Sequence, residues 1–595
     1  MRYIFYIFVF LFFSFSVSGQ DLNLAKDYLK RGEYEKAESL YKKLFENRKN
    51  SFNYLEGLTQ ALQEQEKYQA AEKYLKEFQQ RSSHFPVIYI ELGNNYDLQG
   101  EKEKAISFYD QAIALLEENL AYTLQTGRKF HKYNLLEYAA KSYEKALEKE
   151  AKTAYILPLA RVYGEQGKLE KMFATYMDLI FENPRYRYAV NKSFSDYITQ
   201  DSENEANKIL RKLLLKRVQE DPEILYNEFL SWLFIQENDF AKAFIQEKAI
   251  YQRVEDKNIS GLMQLAKAAD EKDHSKIAKE VLNYTVKNAY TNEQKIKAYE
   301  ALMEVKINSS APKDYKNIDE DFKEILEEFG RDKNTLEIQL QYTRFMAFRQ
   351  TKTREAKTLL QDLLSARINQ FEEAKIKMQL ADILAAEENF NQALIYYSQI
   401  KSLVKNTPLA QEALFKVAQT SYYKGDFDWA QTQLKILKQS TSELTANDAM
   451  ALNLLIEDNI SMDSTQTALK LFAKADLLIL QERDEEALSI LNQILTEHEG
   501  EKIEDEALLR SAKLHEKQEN YGKAEKAYLK IIQDFEEGIL ADDAYYFLAE
   551  LYRTKLEDKE KAMENYKKII FEYADSIFFV EARKKYRQLR GDDVL

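Results

Sequence analysis

Five histidines, His84, His131, His274, His498 and His515, are the first side chains to weigh for chemistry. Two histidines four residues apart on a helix hold a metal ion, but no two of these stand at that spacing and no His-Glu-x-x-His occurs. Cysteine is absent, which removes thiolate metal sites, disulfides and a lipobox-type lipid anchor together. The chain has no Gly-x-Ser-x-Gly elbow, no Gly-x-Gly-x-x-Gly and no P-loop; the GEQGK at 164–168 is too short and falls at a turn between helices. Acidic pairs such as Glu387-Glu388 and Asp542-Asp543 have the residue types of a glycosidase pair, but among 99 carboxylates such pairs carry no information. No catalytic residue, metal site or cofactor is assigned, and the chain is read as not an enzyme. A hydrolase whose site is assembled across elements would show itself as a deep pocket with clustered, perturbed carboxylates.

Binding chemistry is better represented. Trp232 and Trp429 are the only tryptophans; both are expected in the core, with a ligand-stacking platform as the sharper alternative. The last helix carries Arg583, Lys584, Lys585, Arg587 and Arg590, which suit a solvated end cap or a dock for an acidic partner or anionic headgroups. The whole chain is acidic, with 85 basic against 99 acidic residues and a net charge of −14. That excludes a general nucleic-acid binder, which needs a basic face to displace counterions. The two signs interleave, as in EKEKA, and so describe solvated helix surface.

The elements that must position these residues are helices. Gly (15) and Pro (6) are scarce in 595 residues, and helix formers are everywhere. Ala37, Ala71, Ala105 and Ala139 fall 34 residues apart, each in the same frame. The first frame holds Gly32, Tyr34, Ala37, Tyr41 and Leu44; the second Tyr68, Ala71, Leu75 and Phe78; the third Gly100, Ala105, Tyr109 and Ala112. In front of them, Tyr89, Leu92, Gly93 and Tyr96 stand at aromatic-x-x-Leu-Gly-x-x-Tyr, and Leu159, Ala160, Tyr163 and Gly167 repeat it before Pro184. After 335 the interval changes. Ala356, Ala393 and Ala430 are 37 apart, as are Ala487 and Ala524, with Ala562 following 38 later. The added residues amount to about one helical turn, so longer helices are expected there.

This pattern resembles the tetratricopeptide repeat family, whose 34-residue unit reads W-x-x-L-G-x-x-Y, then A-x-x-x-F, then P. His515 takes the eleventh position of its unit, where Tyr is usual, and is expected to fill the seam. The resemblance implies an all-α, right-handed superhelical solenoid of helix hairpins, each stacked on the next because none buries its apolar stripe alone. Ala544, Tyr546, Leu548, Ala549 and Tyr552 are further similar to the periplasmic repeat proteins of outer-membrane assembly. In the family, ligands lie in a concave groove lined by first helices. The ninth positions of the early units, Lys26, Gln60, Asn94 and Arg161, are the binding residues the resemblance implies. Leu22 stands where carboxylate-clamp members have Lys, so a chaperone-tail adaptor is not expected.

At the N-terminus, Arg2, an apolar run from Tyr3 to Phe13, and Val17 and Gly19 before Gln20 read as a signal peptide cut after Gly19. The expected order is a signal peptide at 1–19, a 34-residue-period array at 20–222, irregular helical repeats and a joint at 223–335, and a second array of about 37-residue period with a capping helix at 336–595. Within the middle part the joint is placed near 287–335, where INSSAPKDYKN (307–317) reads as a loop. The functional expectation is a scaffold of the bacterial cell envelope, exported to the periplasm and reaching the outer membrane only peripherally or through a partner. It would hold protein partners without a cofactor; the alternative is a glycan-binding or envelope-biogenesis accessory role.

Overall fold

A computed structural model describes residues 21–150, 153–437, 443–460 and 466–592. Residues 1–19, read from the sequence as a signal peptide, lie outside the described residues. The described chain is all-helical, and it divides between Glu237 and Asn238 into two compact units.

The first unit begins with α1 (residues 21–30) and α2 (Tyr34–Asn47), followed by the hairpins α3 (Phe52–Gln63) with α4 (Tyr68–Arg81) and α5 (Pro86–Asp97) with α6 (Lys102–Glu118). Next come α7 (Thr123–Lys132) with α8 (Leu136–Lys149) and α9 (Thr153–Glu165) with α10 (Leu169–Glu182). It ends in α11 (Arg187–Ser195), α12 (Glu205–Glu220) and α13 (Ile224–Gln236).

The second unit runs through α14 (Phe240–Arg253), α15 (Ser260–Asp270), α16 (Ser275–Asn288), α17 (Asn292–Asn308) and α18 (Tyr315–Phe329). It continues with α19 (Leu336–Phe348), α20 (Thr353–Ser365), α21 (Gln370–Ala386), α22 (Phe390–Leu403), α23 (Pro408–Tyr423), α24 (Phe427–Leu437) and α25 (Glu443–Asn459). Three hairpins follow: α26 (Thr467–Leu480) with α27 (Asp484–Glu497), α28 (Glu504–Lys517) with α29 (Tyr521–Asp534), and α30 (Ala541–Thr554) with α31 (Lys559–Glu572). The helix α32 (Phe579–Arg590) closes the chain. Between α17 and α18 only a short break and a 3-10 turn, Pro312–Asp314, interrupt the helices, and Ile296, Ile318 and Phe322 share one core with Ala356 and Ala374.

Six hairpins are locked by the same contact, and others place Leu75, Leu360, Leu434 or Leu491 where these have Tyr. The small residue of the second helix is fully buried, and the aromatic four residues later fills the seam: Tyr41, Tyr109 and Tyr143 in the first unit, Tyr397, Tyr528 and Tyr566 in the second. On the facing first helix the small eighth residue makes room. A Cβ on Gly93 would lie 2.3 Å from the Tyr109 ring, and one on Gly127 2.3 Å from that of Tyr143. The turn inside the hairpin is closed by a bond from its last residue back to the eleventh carbonyl, as in Glu101 N–H to Tyr96 O (3.0 Å) and Lys67 N–H to Leu62 O (2.9 Å). Its preceding residue adopts positive φ: Gly100 (80°) in one hairpin, but Glu66 (59°) in another.

Of two expectations, longer helices after 335 hold for first helices only, and the core placement of Trp429 needs correction. The longer period after 335 does not come from longer second helices: α27, α29 and α31 have 14 residues, as α2, α4 and α8 do. The first helices grow from 12 residues in α3 and α5 to 14 in α28 and α30, and the loops between hairpins lengthen, from 48–51 to 498–503. Trp429 is not a core residue. It is 51% exposed on α24, whereas Trp232 is half-buried with its ring 6.2 Å from that of Phe194.

Candidate functional site

In the first unit, first helices lie beside first helices, α5 on α7 and α7 on α9. The residue before each implied binding position is held in the hairpin seam: Ala25, Thr59 and Ala160 are completely buried, and Gly93 is pressed on Tyr109. One residue further along a helix is a rotation of about 100°, so the next side chain leaves the seam for the first-helix face. Lys26, Gln60 and Arg161 are exposed there and Asn94 is half-buried. None of the four makes a side-chain hydrogen bond or ion pair within the described chain. The equivalent position of the fourth hairpin is Arg128, exposed after the buried Gly127. Sequence reasoning missed it because α7 lacks the Leu and Tyr that mark a first helix, having Thr126 and Phe130 instead.

A charge network ties this face together. Lys129 Nζ on α7 lies 2.7 Å from Glu56 Oε1 on α3 and 2.7 Å from Glu91 Oε1 on α5. Lys132 Nζ reaches the same Glu56 oxygen at 2.8 Å, and the Tyr133 hydroxyl donates to both Glu91 oxygens at 2.9 and 3.0 Å. Glu91 is 1% exposed and Lys129 8%. Burial works against the Lys129 charge, yet Glu91 and Glu56 raise its pKa above the usual lysine value. Burial likewise opposes the Glu56 charge, and the two ammonium groups bring its pKa below the ordinary carboxylate value. The network joins three consecutive first helices across 38 and 73 residues of sequence. It spends its charges internally and leaves Lys26, Gln60, Asn94, Arg128 and Arg161 beside it.

Three ninth positions of the second unit are bonded internally, whereas Gln419 and Lys513 are not. Asp382 accepts from the Tyr397 hydroxyl (2.6 Å), Asp476 from Tyr422 (3.0 Å) with Arg510 Nε 3.2 Å away, and Glu550 from Tyr566 with Lys585 at 2.9 Å. Asp382 and Glu550 bond within their own hairpins, and Asp476 ties α26 to α23 and α28. On α28 and α30, burial pushes Glu506 up to about 7 and Asp543 up to about 6, each helped by a neighbouring carboxylate, Asp505 or Asp542. His515 is half-buried at its seam, where desolvation and Lys523 lower its pKa, so it is neutral near pH 7. No group of three or more His, Cys, Asp or Glu among the described residues is placed to hold a metal ion. No helix among the described residues is long and apolar enough to cross a membrane. The basic residues of α32 are partly spent as well: Lys585 bonds the Tyr546 hydroxyl (2.8 Å) and Arg590 pairs with Asp592.

Comparison with known proteins agrees with this repeat anatomy. One tetratricopeptide repeat profile matches residues 22–84, and another matches 87–118 and 542–570. No curated protein matches the sequence. Among solved structures, that of Naa15/Naa10 bound to HypK-THB is 11% identical, with 96% of each chain covered and a TM-score of 0.28. The Cut9–Hcn1 hetero-tetramer of the APC/C is 13% identical, with 97% of this chain and 98% of that one covered and a TM-score of 0.25. A tetratricopeptide repeat protein from Parabacteroides merdae is 13% identical over 49% of this chain and 96% of its own, with a TM-score of 0.23. Residues 22–84, 87–118 and 542–570 are tetratricopeptide repeats, set in a chain of stacked helix hairpins of the same solenoid class.

Proposed function

We propose that this protein is a non-catalytic scaffold that holds partner proteins on the first-helix face of its N-terminal repeats. One observation carries the reading. Three ninth positions in the second unit, Asp382, Asp476 and Glu550, are held by internal bonds from Tyr397, Tyr422 and Tyr566, while Lys26, Gln60, Asn94, Arg128 and Arg161 of the first unit project polar groups with no hydrogen-bond or ion-pair partner among the described residues. Three cations, Lys26, Arg128 and Arg161, with two amides, Gln60 and Asn94, suit carboxylates and backbone carbonyls of an extended segment. Tyr41, Tyr109, Tyr143, Tyr397, Tyr528 and Tyr566 are buried in the seams and offer no ring face to a glycan. The setting proposed is the bacterial cell envelope after export. It rests on the leader-like run of Tyr3 to Phe13 ahead of Val17 and Gly19 and on the resemblance of the last repeats to envelope proteins.

The test is affinity capture from the native envelope fraction, read by mass spectrometry, with wild type and a Lys26→Ala/Asn94→Ala/Arg161→Ala variant. Specific proteins recovered by wild type and lost by the variant are the expected result. Recovery of no specific protein by wild type would count against a protein-holding role.

A further inference from the structure

Ile577 (86% exposed), Phe571 (72%), Val580 (68%) and Ile539 (64%) are the most exposed aliphatic and phenylalanine side chains among the described residues. All four fall on or beside the last two loops between hairpins. Ile539 lies in the loop from α29 to α30 (535–540) and Ile577 in the loop from α31 to α32 (573–578), each one residue before the position that enters the next helix. Those entering residues, Leu540 and Phe578, pack inward on the core. Phe571 is the penultimate residue of α31, and Val580 the second of α32. The two loops are neighbours: the Tyr573 hydroxyl donates to the Glu536 carbonyl (2.9 Å), and the Tyr573 ring lies 5.6 Å from that of Tyr545 on α30. The repeat does not demand an apolar side chain here, because the preceding loop has exposed Lys502 at the same place, before the buried Ile503. Exposed apolar side chains grouped inside a polar rim mark a contact surface.

The charges of that rim say what covers it. Glu536, Glu537 and Asp575 are exposed on the loops, and Arg583 and Lys584 are exposed on α32, one turn beyond Val580. None of the five has an ion-pair partner among the described residues. A surface that carries unpaired carboxylates on its loops and unpaired cations on its helix is complementary to itself under a two-fold rotation that crosses loops over helix. An anionic membrane, by contrast, would meet the three carboxylates with repulsion. We propose that this edge is a dimer interface and that its occupant is a second copy of the chain. Ile539, Phe571, Ile577 and Val580 form its apolar centre, and Arg583 and Lys584 face the loop carboxylates of the other copy. The inference goes beyond the scaffold reading: a dimer carries two N-terminal strips, whatever those strips hold.

The test is sedimentation velocity of the full chain at concentrations up to about 100 μM, well above the micromolar constants of interfaces of modest area. Wild type should show a concentration-dependent equilibrium of monomer and dimer. Ile577→Ser/Val580→Ser changes two exposed side chains and should weaken the dimer at least tenfold, while the matching change at exposed positions elsewhere, Ile245→Ser/Ile436→Ser, should leave it intact. Arg583→Glu/Lys584→Glu should also weaken it at least tenfold, and Glu536→Lys/Glu537→Lys added to the same chain should restore it. The Lys26→Ala/Asn94→Ala/Arg161→Ala variant should dimerise as wild type does, which separates failure of this proposal from failure of the N-terminal one. A wild-type chain that stays monomeric throughout overturns the proposal, as does a dimer that Ile577→Ser/Val580→Ser forms equally well. A monomer that floats with phosphatidylglycerol vesicles, and ceases to do so in Ile577→Ser/Val580→Ser, would overturn it too and assign the cluster to a membrane surface.

Discussion

Lys129 is the residue on which the N-terminal face most depends. Its ammonium is the counter-charge for Glu91, which is 1% exposed. Breaking a buried pair by removing one partner leaves an uncompensated charge and costs about 3–5 kcal/mol. Lys129→Met is therefore expected to destabilise the protein by that amount in urea unfolding followed by circular dichroism. Lys132→Ala removes a half-exposed ammonium from Glu56, which retains Lys129, and should cost no more than about 1 kcal/mol. Glu506 gives a prediction in pH. Its folded-state pKa, about 7, lies above the ordinary carboxylate value, so the folded protein holds that proton more tightly than the unfolded chain does. The stability this contributes is present below the unfolded value and is lost as pH rises through about 7. Glu506→Gln should melt with wild type near pH 4, below the unfolded value, and above it near pH 8; an equal difference at both would show that the group is solvated. At this scale the sequence was only partly legible. Lys26, Gln60, Asn94 and Arg161 were readable because the repeat assigns each a face. The Glu56–Lys129–Glu91 network was not, since its members come from three hairpins whose relative rotation no local motif encodes.

At the scale of the element, the hairpin was legible because its constraints are local. A small eighth residue, a buried alanine and an aromatic four residues on recur at fixed spacing, and the structure packs them against one another at Gly93 and Tyr109. Gly93→Ala would place a methyl 2.3 Å from a ring that is itself enclosed, so a cost of about 1–3 kcal/mol is expected from overpacking. The turn residue gives the opposite case. Glu519 holds φ of 59° with its side chain exposed, a conformation that glycine adopts without strain. Glu519→Gly should raise stability by about 0.5–1 kcal/mol, the strain of the left-handed residue less the added freedom of the unfolded chain. Differential scanning calorimetry of both variants checks the two signs together. The helix α25 was not legible. Its only trace is that Ala430 and Ala487 stand 57 apart, one 37-residue repeat plus 20, and an interval of that kind reads equally as a longer loop. In the structure α25 packs on α24 and α23, while α26 also packs on α23. The change of period was visible, but its assignment to first helices and loops was not, because second helices carry the strongest pattern and those keep their length.

For the molecule as a whole, composition settled the class. Few breakers, dense helix formers and a recurring frame admit little besides stacked helix pairs, and the described chain is that in both units. Net charge of −14 is a property of the sum and says nothing about any one face. The N-terminal strip is cationic and amide-bearing within an acidic chain. The central claim is that the N-terminal strip grips a partner. The direct measurement is the affinity of a partner recovered by capture, by isothermal titration calorimetry, for wild type and for Lys26→Ala/Asn94→Ala/Arg161→Ala. The variant is expected to melt with wild type, because the three side chains make no internal bonds, and to bind at least tenfold more weakly. Unchanged affinity in a variant that melts normally would contradict the account and move the partner off this face.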